Sequence, residues 1–504
     1  LKFKKKRLGW ALALLAALWL NLGPRPADNS HYTTSGYYQD ARRRLELAKP
    51  LSASGPLKIG LAEIDISPPP GYPLAGFGGR RPKANTGQDS PCLARALTLE
   101  VNGLTTSILT ADILLMDESL VSEVLHLSGL GPQDVYFTAS HSHSCAGGYV
   151  KGLLMEQILG DYDPAWTKQL AQRLAQLLLD SRRDLIAADL AWTSLEVPNS
   201  QQNRIDHAAP TNDRLSLLLF RKHDSLAACQ TWIVESENRP QRAQFLPDLQ
   251  PNSPAIRQKS GEKCAAAVDL QPTTSKSDRL LDPPLAIFAV FGAHATLFNL
   301  KSHLISADYP GYFLHELKAR TQAKHLLFAA GSVGDARPDG PAIIDKDAKV
   351  NAQTYGHYLA EAAAAALENL NWSHEVSLGR LNLALQLPEA RLLLGPKWTL
   401  GPLLTQLLPD RQASLSGLRL NNLVLLGFPA DYSGHLARAL SAQINNQAHL
   451  ITTSFNGGYK GYLVASRWFF SFSDYETRTV NFFGPWSGDY LNEMAAGLIK
   501  RMFH

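Results

Sequence analysis

The sequence predicts an α/β fold, one large domain of mixed sheets and helices with functional loops at the C-terminal ends of strands. Three observations lead there. Short apolar runs of strand length alternate with longer amphipathic, helix-length patterns along the chain. Residues that can do chemistry recur just past those runs, at His141, His143, Arg204, His294, Asp335, Asp431 and Tyr462. The 504 residues, 45% of them hydrophobic and 19% charged, are enough for a large core.

The bulk numbers exclude some classes of function. Formal net charge is +4, much of it in the first few residues, so nothing in the balance points to nucleic acid. Cys92, Cys145, Cys229 and Cys264 are far apart and contain no Cys-x-x-Cys pair. That argues against a structural zinc site and against a disulfide framework, and leaves room for one disulfide in an oxidising compartment.

The elements follow in chain order. Lys2, Lys4, Lys5, Lys6 and Arg7 precede an apolar run from Leu8 to Leu22. The pattern predicts a signal anchor or signal peptide over 1–27, with the basic end in the cytoplasm and the body exported. Residues 28–55 are polar, with an Arg-rich helical patch around Arg42, and read as a juxtamembrane stalk. Leu57 to Ser67 alternates like a strand and stops at Pro68-Pro69-Pro70-Gly71. The glycine-rich loop from Pro73 to Arg81 lacks the spacing of a phosphate-binding motif. Ala94–Val101 and Leu104–Leu109 flank Asn102-Gly103, a hairpin signal. A helix is expected from about Glu118 to Leu127, then a buried strand at Val135-Tyr136-Phe137.

Past that strand lies Ser140-His141-Ser142-His143-Ser144-Cys145-Ala146-Gly147-Gly148-Tyr149. Two histidines at i, i+2 share a face if the strand continues through them. A long helix is expected from Trp166 to Ala188, and strands at Leu190–Val197, Leu215–Phe220 and Ala227–Val234. From Ser236 to about Pro284 the chain is rich in Pro, Ser, Lys and Gln and reads as a surface insertion, partly disordered. The strand Leu285–Phe291 ends in Gly292-Ala293-His294. A helix to Ala319, a strand His325–Ala330, a polar turn through Asp335 and Arg337, and an Ala-rich helix Thr354–Leu367 follow. Strands return after Val376. Asn422–Gly427 leads to Asp431, a helix spans Gly434–Gln443, and Leu450–Phe455 leads to the loop that ends at Tyr462.

Taken in order, these segments resemble the neutral, non-lysosomal ceramidase family. The motifs are the His141–Tyr149 stretch, Phe291 to Thr296 with Ile305 to Tyr312, Ser332 to Asp339, Pro429 to Ser433, Asn456 to Tyr462 and Asp474-Tyr475-Glu476. The resemblance covers about Leu57 to Glu476. It implies a catalytic domain over 56–504, without the C-terminal β-sandwich of larger members, that cleaves the amide bond of a lipid-like N-acyl substrate with zinc. By position, His141, His294, Asp431 and Tyr462 would be the zinc ligands. His143 would be the acid/base or hydrogen-bonding partner, Arg204 would hold the carbonyl oxygen, and Tyr475 would line the site. Two positions depart from the family pattern. Asp431 stands where the family has glutamate, and Arg337 where it has its active-site serine, placing a fixed positive charge at the expected substrate entrance. These changes motivate a second reading, a non-catalytic relative that binds a lipid or cell-envelope ligand. A third is a metal esterase or phosphatase on the same scaffold.

Overall fold

A computed structural model describes residues 17–81, 83–223, 283–343, 346–368, 370–444, 447–471 and 474–504, with Trp10 and Leu14. The body considered below is formed by 1–222 and 284–504. The strand expected at Ala227–Val234 and nearly all of the expected insertion at 236–284 lie outside the described residues, as do residues 1–9 of the expected anchor. Among the described residues no helix is long and apolar enough to cross a membrane.

The longest strand is the hub. β1 (Leu51–Asp65) pairs antiparallel with β2 (Leu93–Val101) through Leu57–Asp65 and with β9 (Glu375–Gln386) through its first residues. The Asn102-Gly103 turn joins β2 to β3 (Leu104–Ala111), which pairs parallel with β4 (Val135–Ala139). On another branch, β1 leads through β5 (Ile186–Glu196) and β6 (Arg214–Lys222) to β7 (Ala286–Phe291) and β8 (His325–Ala330). Beyond β9 come β10 (Gln412–Leu420), β11 (Leu423–Gly427) and β12 (His449–Thr453).

Most neighbours are antiparallel, but β3–β4, β7–β8 and β11–β12 run parallel. The C-terminal ends of these three pairs meet. Ser454 N donates to Ala330 O at 2.9 Å, and the Thr138 hydroxyl donates to Ser454 O at 3.3 Å. This junction is where the site forms, as the α/β pattern predicts.

Helices cover the sheet where their apolar stripes require it. In α3 (Pro164–Ser181), Asp163 accepts from the N–H groups of Ala165 and Trp166, and Pro164 occupies the first turn. Its face of Trp166, Leu170, Leu174, Leu177 and Leu178 is buried, each side chain worth about 1.5–3 kcal/mol of burial. Gly60 on β1 permits the close approach, since a Cβ there would lie 1.9 Å from Ser181 O. The helix ends at Ser181 rather than Ala188 because β5 begins at Ile186. α2 (Glu118–Ser128) packs on α3, and α4 (Asp308–Thr321) packs on α5 (Ala348–Ala365).

Residues 28–55 are not a stalk in this structure. α1 (Gly36–Leu47) is capped by Ser35, buries Ala41, and packs on α7 (Ser487–Arg501), where Tyr32 and Tyr38 both donate to Glu493. Its arginines face outward while the tyrosine side is covered, and Leu51 onward already belongs to the sheet. Cys92 and Cys145 form the one disulfide among the described residues, with Cα atoms 6.1 Å apart.

Candidate metal centre

The strand β4 does not continue through the histidines. It stops at Ala139, and His141 sits in the left-handed region at φ 61°. A non-glycine residue there is strained by roughly 1–3 kcal/mol and needs its surroundings to hold it. The His141 ring stacks on Phe455, with centroids 4.0 Å apart, and its Nδ1 donates to Leu114 O at 2.6 Å. His143 then arrives from the turn rather than by strand alternation, its Nε2 lying 3.1 Å from His141 Nε2.

His294 follows β7 and is held the same way, with Nδ1 donating to Ala336 O at 3.1 Å. Asp431 follows β11 and lies in a short parallel pairing with Tyr462, which follows β12. Its Oδ2 accepts from Tyr459 OH at 3.0 Å. The other oxygen, Oδ1, is buried without a hydrogen bond, 3.2 Å from His294 Nε2 and 3.6 Å from His141 Nε2. Tyr462 OH is 3.1 Å from His294 Nε2 and 3.1 Å from Arg204 Nη2.

This donor set fits a metal ion. Both imidazoles spend their Nδ1 protons on backbone carbonyls, so both Nε2 atoms present lone pairs. Those lone pairs and Asp431 Oδ1 face one another in a buried place where like polarity is costly without a cation between them. A proton does not serve: burial pushes His141 down to about 3 and His294 well below its usual range, so both rings are neutral. Burial raises Asp431, opposed by His141 and Arg204, and raises the Tyr462 phenol well above 10. The ligand nitrogens of His141, His143 and His294 lie within 4.8 Å of one another.

Arg204 is placed by its neighbours. Its N–H donates to Asp335 O at 2.7 Å, and the Asn203 side chain ties the following turn. Its Nε lies 3.1 Å from Glu476 Oε1. Burial opposes the charge, but Tyr462 and Glu476 outweigh it, so Arg204 remains a cation beside the centre. Asp335 itself is structural: its carboxylate accepts from Ser433 and from the N–H groups of Gly434 and His435, capping α6 (Gly434–Ile444).

Above these groups lies a cavity of about 540 Å³. Its base is polar, with the three histidines, Arg204, Asp431 and Tyr462, and its walls include Leu114, Met155, Ile158, Leu392 and Phe482. Tyr475 lines it, its ring 5.8 Å from that of Tyr462.

Arg337 stands elsewhere than the resemblance implies. It is exposed, does not line the cavity, and donates to Gln202 across a short antiparallel pairing of Ala336–Pro338 with Gln201–Asn203. Strand alternation turns its side chain outward, away from the neighbouring buried Ala336 and Pro338.

The glycine-rich loop contributes more than its sequence suggests. Gly76 has φ +73°, and a Cβ there would lie 2.4 Å from His143 Nδ1. Phe77 packs on the His143 ring at 4.8 Å, and fully buried Arg80 donates to His143 O at 2.8 Å. The signal for this loop was its glycine density, which marks a close approach as readily as a phosphate. Tyr459 and Glu476 fall inside motifs of the resemblance without a role of their own in it; the structure makes them the partners of Asp431 and Arg204.

No family model matches the sequence, and no curated protein matches it. Solved structures do match. The neutral ceramidase from Pseudomonas aeruginosa aligns at a TM-score of 0.63 with 16% identity, over 88% of this chain and 74% of that one. A ceramidase complexed with C2 aligns at 0.64 with 16% identity, over 89% and 76%. The resemblance read from the ordered motifs is thus matched by the fold.

Proposed function

We propose that the protein is a zinc-dependent amidohydrolase that cleaves the N-acyl bond of ceramide or a related lipid-like amide. The observation that carries this reading is the convergence of two imidazole lone pairs and the unpartnered Asp431 Oδ1 at the base of an apolar cavity. The ceramidase fold around it supports the choice of substrate class.

His141, His294, Asp431 and Tyr462 would hold the ion, a set of nitrogen and oxygen donors suited to zinc. Zinc bound there supplies Lewis acidity toward an amide carbonyl and toward water. His143 is the group that moves protons. Its Nδ1 has no partner and its Nε2 faces the centre; burial and the neighbouring imidazoles push its pKa well below the usual range and keep the ring neutral, the form that can accept a proton from water and return it to the leaving amine. Arg204, fixed by Glu476, aims a positive charge where negative charge develops on the carbonyl oxygen. The apolar walls hold the acyl chain and exclude water, which strengthens each of these interactions. Asp431 is a methylene shorter than glutamate, and its Oδ1 stands 3.2 Å from His294 Nε2 and 3.6 Å from His141 Nε2.

Export belongs to the same proposal. It is supported by the basic-then-apolar N-terminal pattern and by the Cys92–Cys145 disulfide, which suits an oxidising compartment. The test is metal content followed by fatty-acid release from ceramide and simple N-acyl amides. Near-stoichiometric zinc and hydrolysis that disappears in His141→Ala are expected. A metal-free protein that still binds ceramide would favour the non-catalytic relative, and hydrolysis of esters without amides would favour the esterase reading.

A further inference from the structure

Tyr459 joins two of the proposed ligands. Phe455, which stacks on the His141 ring, also faces the Tyr459 ring at 6.3 Å with an interplanar angle of 25°. The Tyr459 hydroxyl donates to Asp431 Oδ2 at 3.0 Å, and Oδ1 is the oxygen left without a hydrogen bond beside His141 and His294. The same short segment holds the backbone around Asp431. Asp431 N donates to Gly461 O at 3.0 Å, and Lys460 N donates to Pro429 O at 2.7 Å. The segment is itself tied down. Tyr459 N donates to Glu118 Oε1 at 3.3 Å. Buried Lys460 places its Nζ 2.6 Å from that oxygen and 3.0 Å from Asp410 Oδ1. A Cβ on Gly458 would fall 2.5 Å from Glu118 Oε1, so glycine lets the loop close on the carboxylate. Glu118 opens α2, and the chain just before it supplies Leu114 O, the acceptor for His141 Nδ1. One acidic side chain thus fastens the Tyr459 loop to the segment that orients His141.

We propose that Tyr459 is a positioning residue that aims the Asp431 carboxylate at the metal centre, and that Glu118 holds Tyr459 in place. A carboxylate has two equivalent oxygens and a soft final torsion, so either oxygen could turn toward the two imidazoles. A hydrogen bond to Oδ2 removes that choice and leaves Oδ1 for a cation, as outer partners of ligating carboxylates do. Glu118 acts one step further out, because it touches Tyr459 N and Lys460 and no proposed ligand. The inference rests on the metal reading of the centre and extends it to two residues outside the ligand set.

The test is the zinc affinity of the full chain, measured by competition with a chromophoric chelator. Tyr459→Phe keeps the ring beside Phe455 and removes only the hydroxyl, so affinity should fall about 10- to 100-fold. In an Asp431→Ala background the same change should cost about twofold or less, because the hydroxyl then has no carboxylate to hold. Tyr32→Phe removes a hydrogen bond of the same kind, to Glu493 on α7, and should bind zinc as wild type. Glu118→Ala should weaken binding about threefold or more, but less than Tyr459→Phe, because Tyr459 keeps its hydroxyl. Wild-type affinity in Tyr459→Phe or in Glu118→Ala overturns the inference. So does an equal loss in Tyr32→Phe, or a full loss repeated in the Asp431→Ala background. If Tyr459→Phe fails to fold, Glu118→Ala decides. A wild type that binds no zinc is a separate failure: it removes the proposed function together with this inference, whereas the other outcomes leave that function standing.

Discussion

Asp431 Oδ1 lies 3.2 Å from His294 Nε2, and in the tautomer fixed by Ala336 neither atom has a proton to offer the other. Asp431→Asn keeps the shape but replaces a carboxylate by a neutral amide. Zinc affinity should fall by more than the roughly 100-fold that an outer-sphere partner can be worth. His294→Ala should do the same. Metal analysis after dialysis against a weak chelator reads both, and retention of full zinc in either variant would remove that residue from the ligand set. Metal removal should also lower the unfolding temperature of the wild type, since a ligand bound only by the folded state stabilises it.

The atoms nearest a side chain at Gly76 belong to His143. Adding a methyl at φ +73° strains the backbone and places Cβ against the imidazole, so Gly76→Ala should displace His143. Zinc content should stay at the wild-type level while kcat falls by about 100- to 10,000-fold, the usual worth of a general acid/base. His143→Ala should match it, and combining the two should cost little more. A Gly76→Ala protein with normal kcat would show that His143 does not move the proton.

The four residues proposed as ligands were legible because each follows a strand, where the period of the apolar run ends and a polar side chain stands out. His141, His294, Asp431 and Tyr462 come from four separate segments, and their order along the chain carried the resemblance. What was not legible depends on through-space packing. The turn that swings His143 onto His141 depends on a left-handed φ at a histidine, which no local pattern announces. Arg337 stands in the family's serine position, but strand alternation turns it to solvent. Residues 28–55 look like a stalk because the outward face of α1 carries Asp40, Arg42, Arg43, Arg44 and Glu46; Tyr32 and Tyr38, which bond Glu493 on α7, lie ahead of most of these charges.

The Cys92–Cys145 disulfide closes a loop with a sequence separation of 53 and ties the start of β2 to the turn just past His143. Closing a loop of that length removes about 4 kcal/mol of chain entropy from the unfolded state. Cys145→Ser, or reduction of the wild type, should lower unfolding free energy by an amount of that order. Denaturant titration with and without a thiol reductant measures it. Equal midpoints under the two conditions would mean the bond does not form in the folded protein.

Acid should weaken the fold through His449, at the start of β12 and outside the proposed ligand set. Its ring stacks on Trp192 at 4.2 Å, and its Nε2 meets the Ser194 hydroxyl at 3.0 Å. Burial, with a smaller push from Arg214, lowers its pKa to about 4. The folded state therefore prefers the neutral ring more than the unfolded chain does, whose histidine titrates near 6.5. Protons bind the unfolded state first, so the stabilisation is complete above about pH 6.5, declines as pH falls, and is gone below about pH 4. Allowing for solvent screening of a partly exposed ring, its size is about 2 kcal/mol. His449→Gln keeps a polar group near Ser194 but cannot titrate. Denaturant titrations near pH 7 and near pH 4 should show the wild type losing about 2 kcal/mol more than the variant across that interval. Parallel losses in the two proteins would place the acid sensitivity elsewhere.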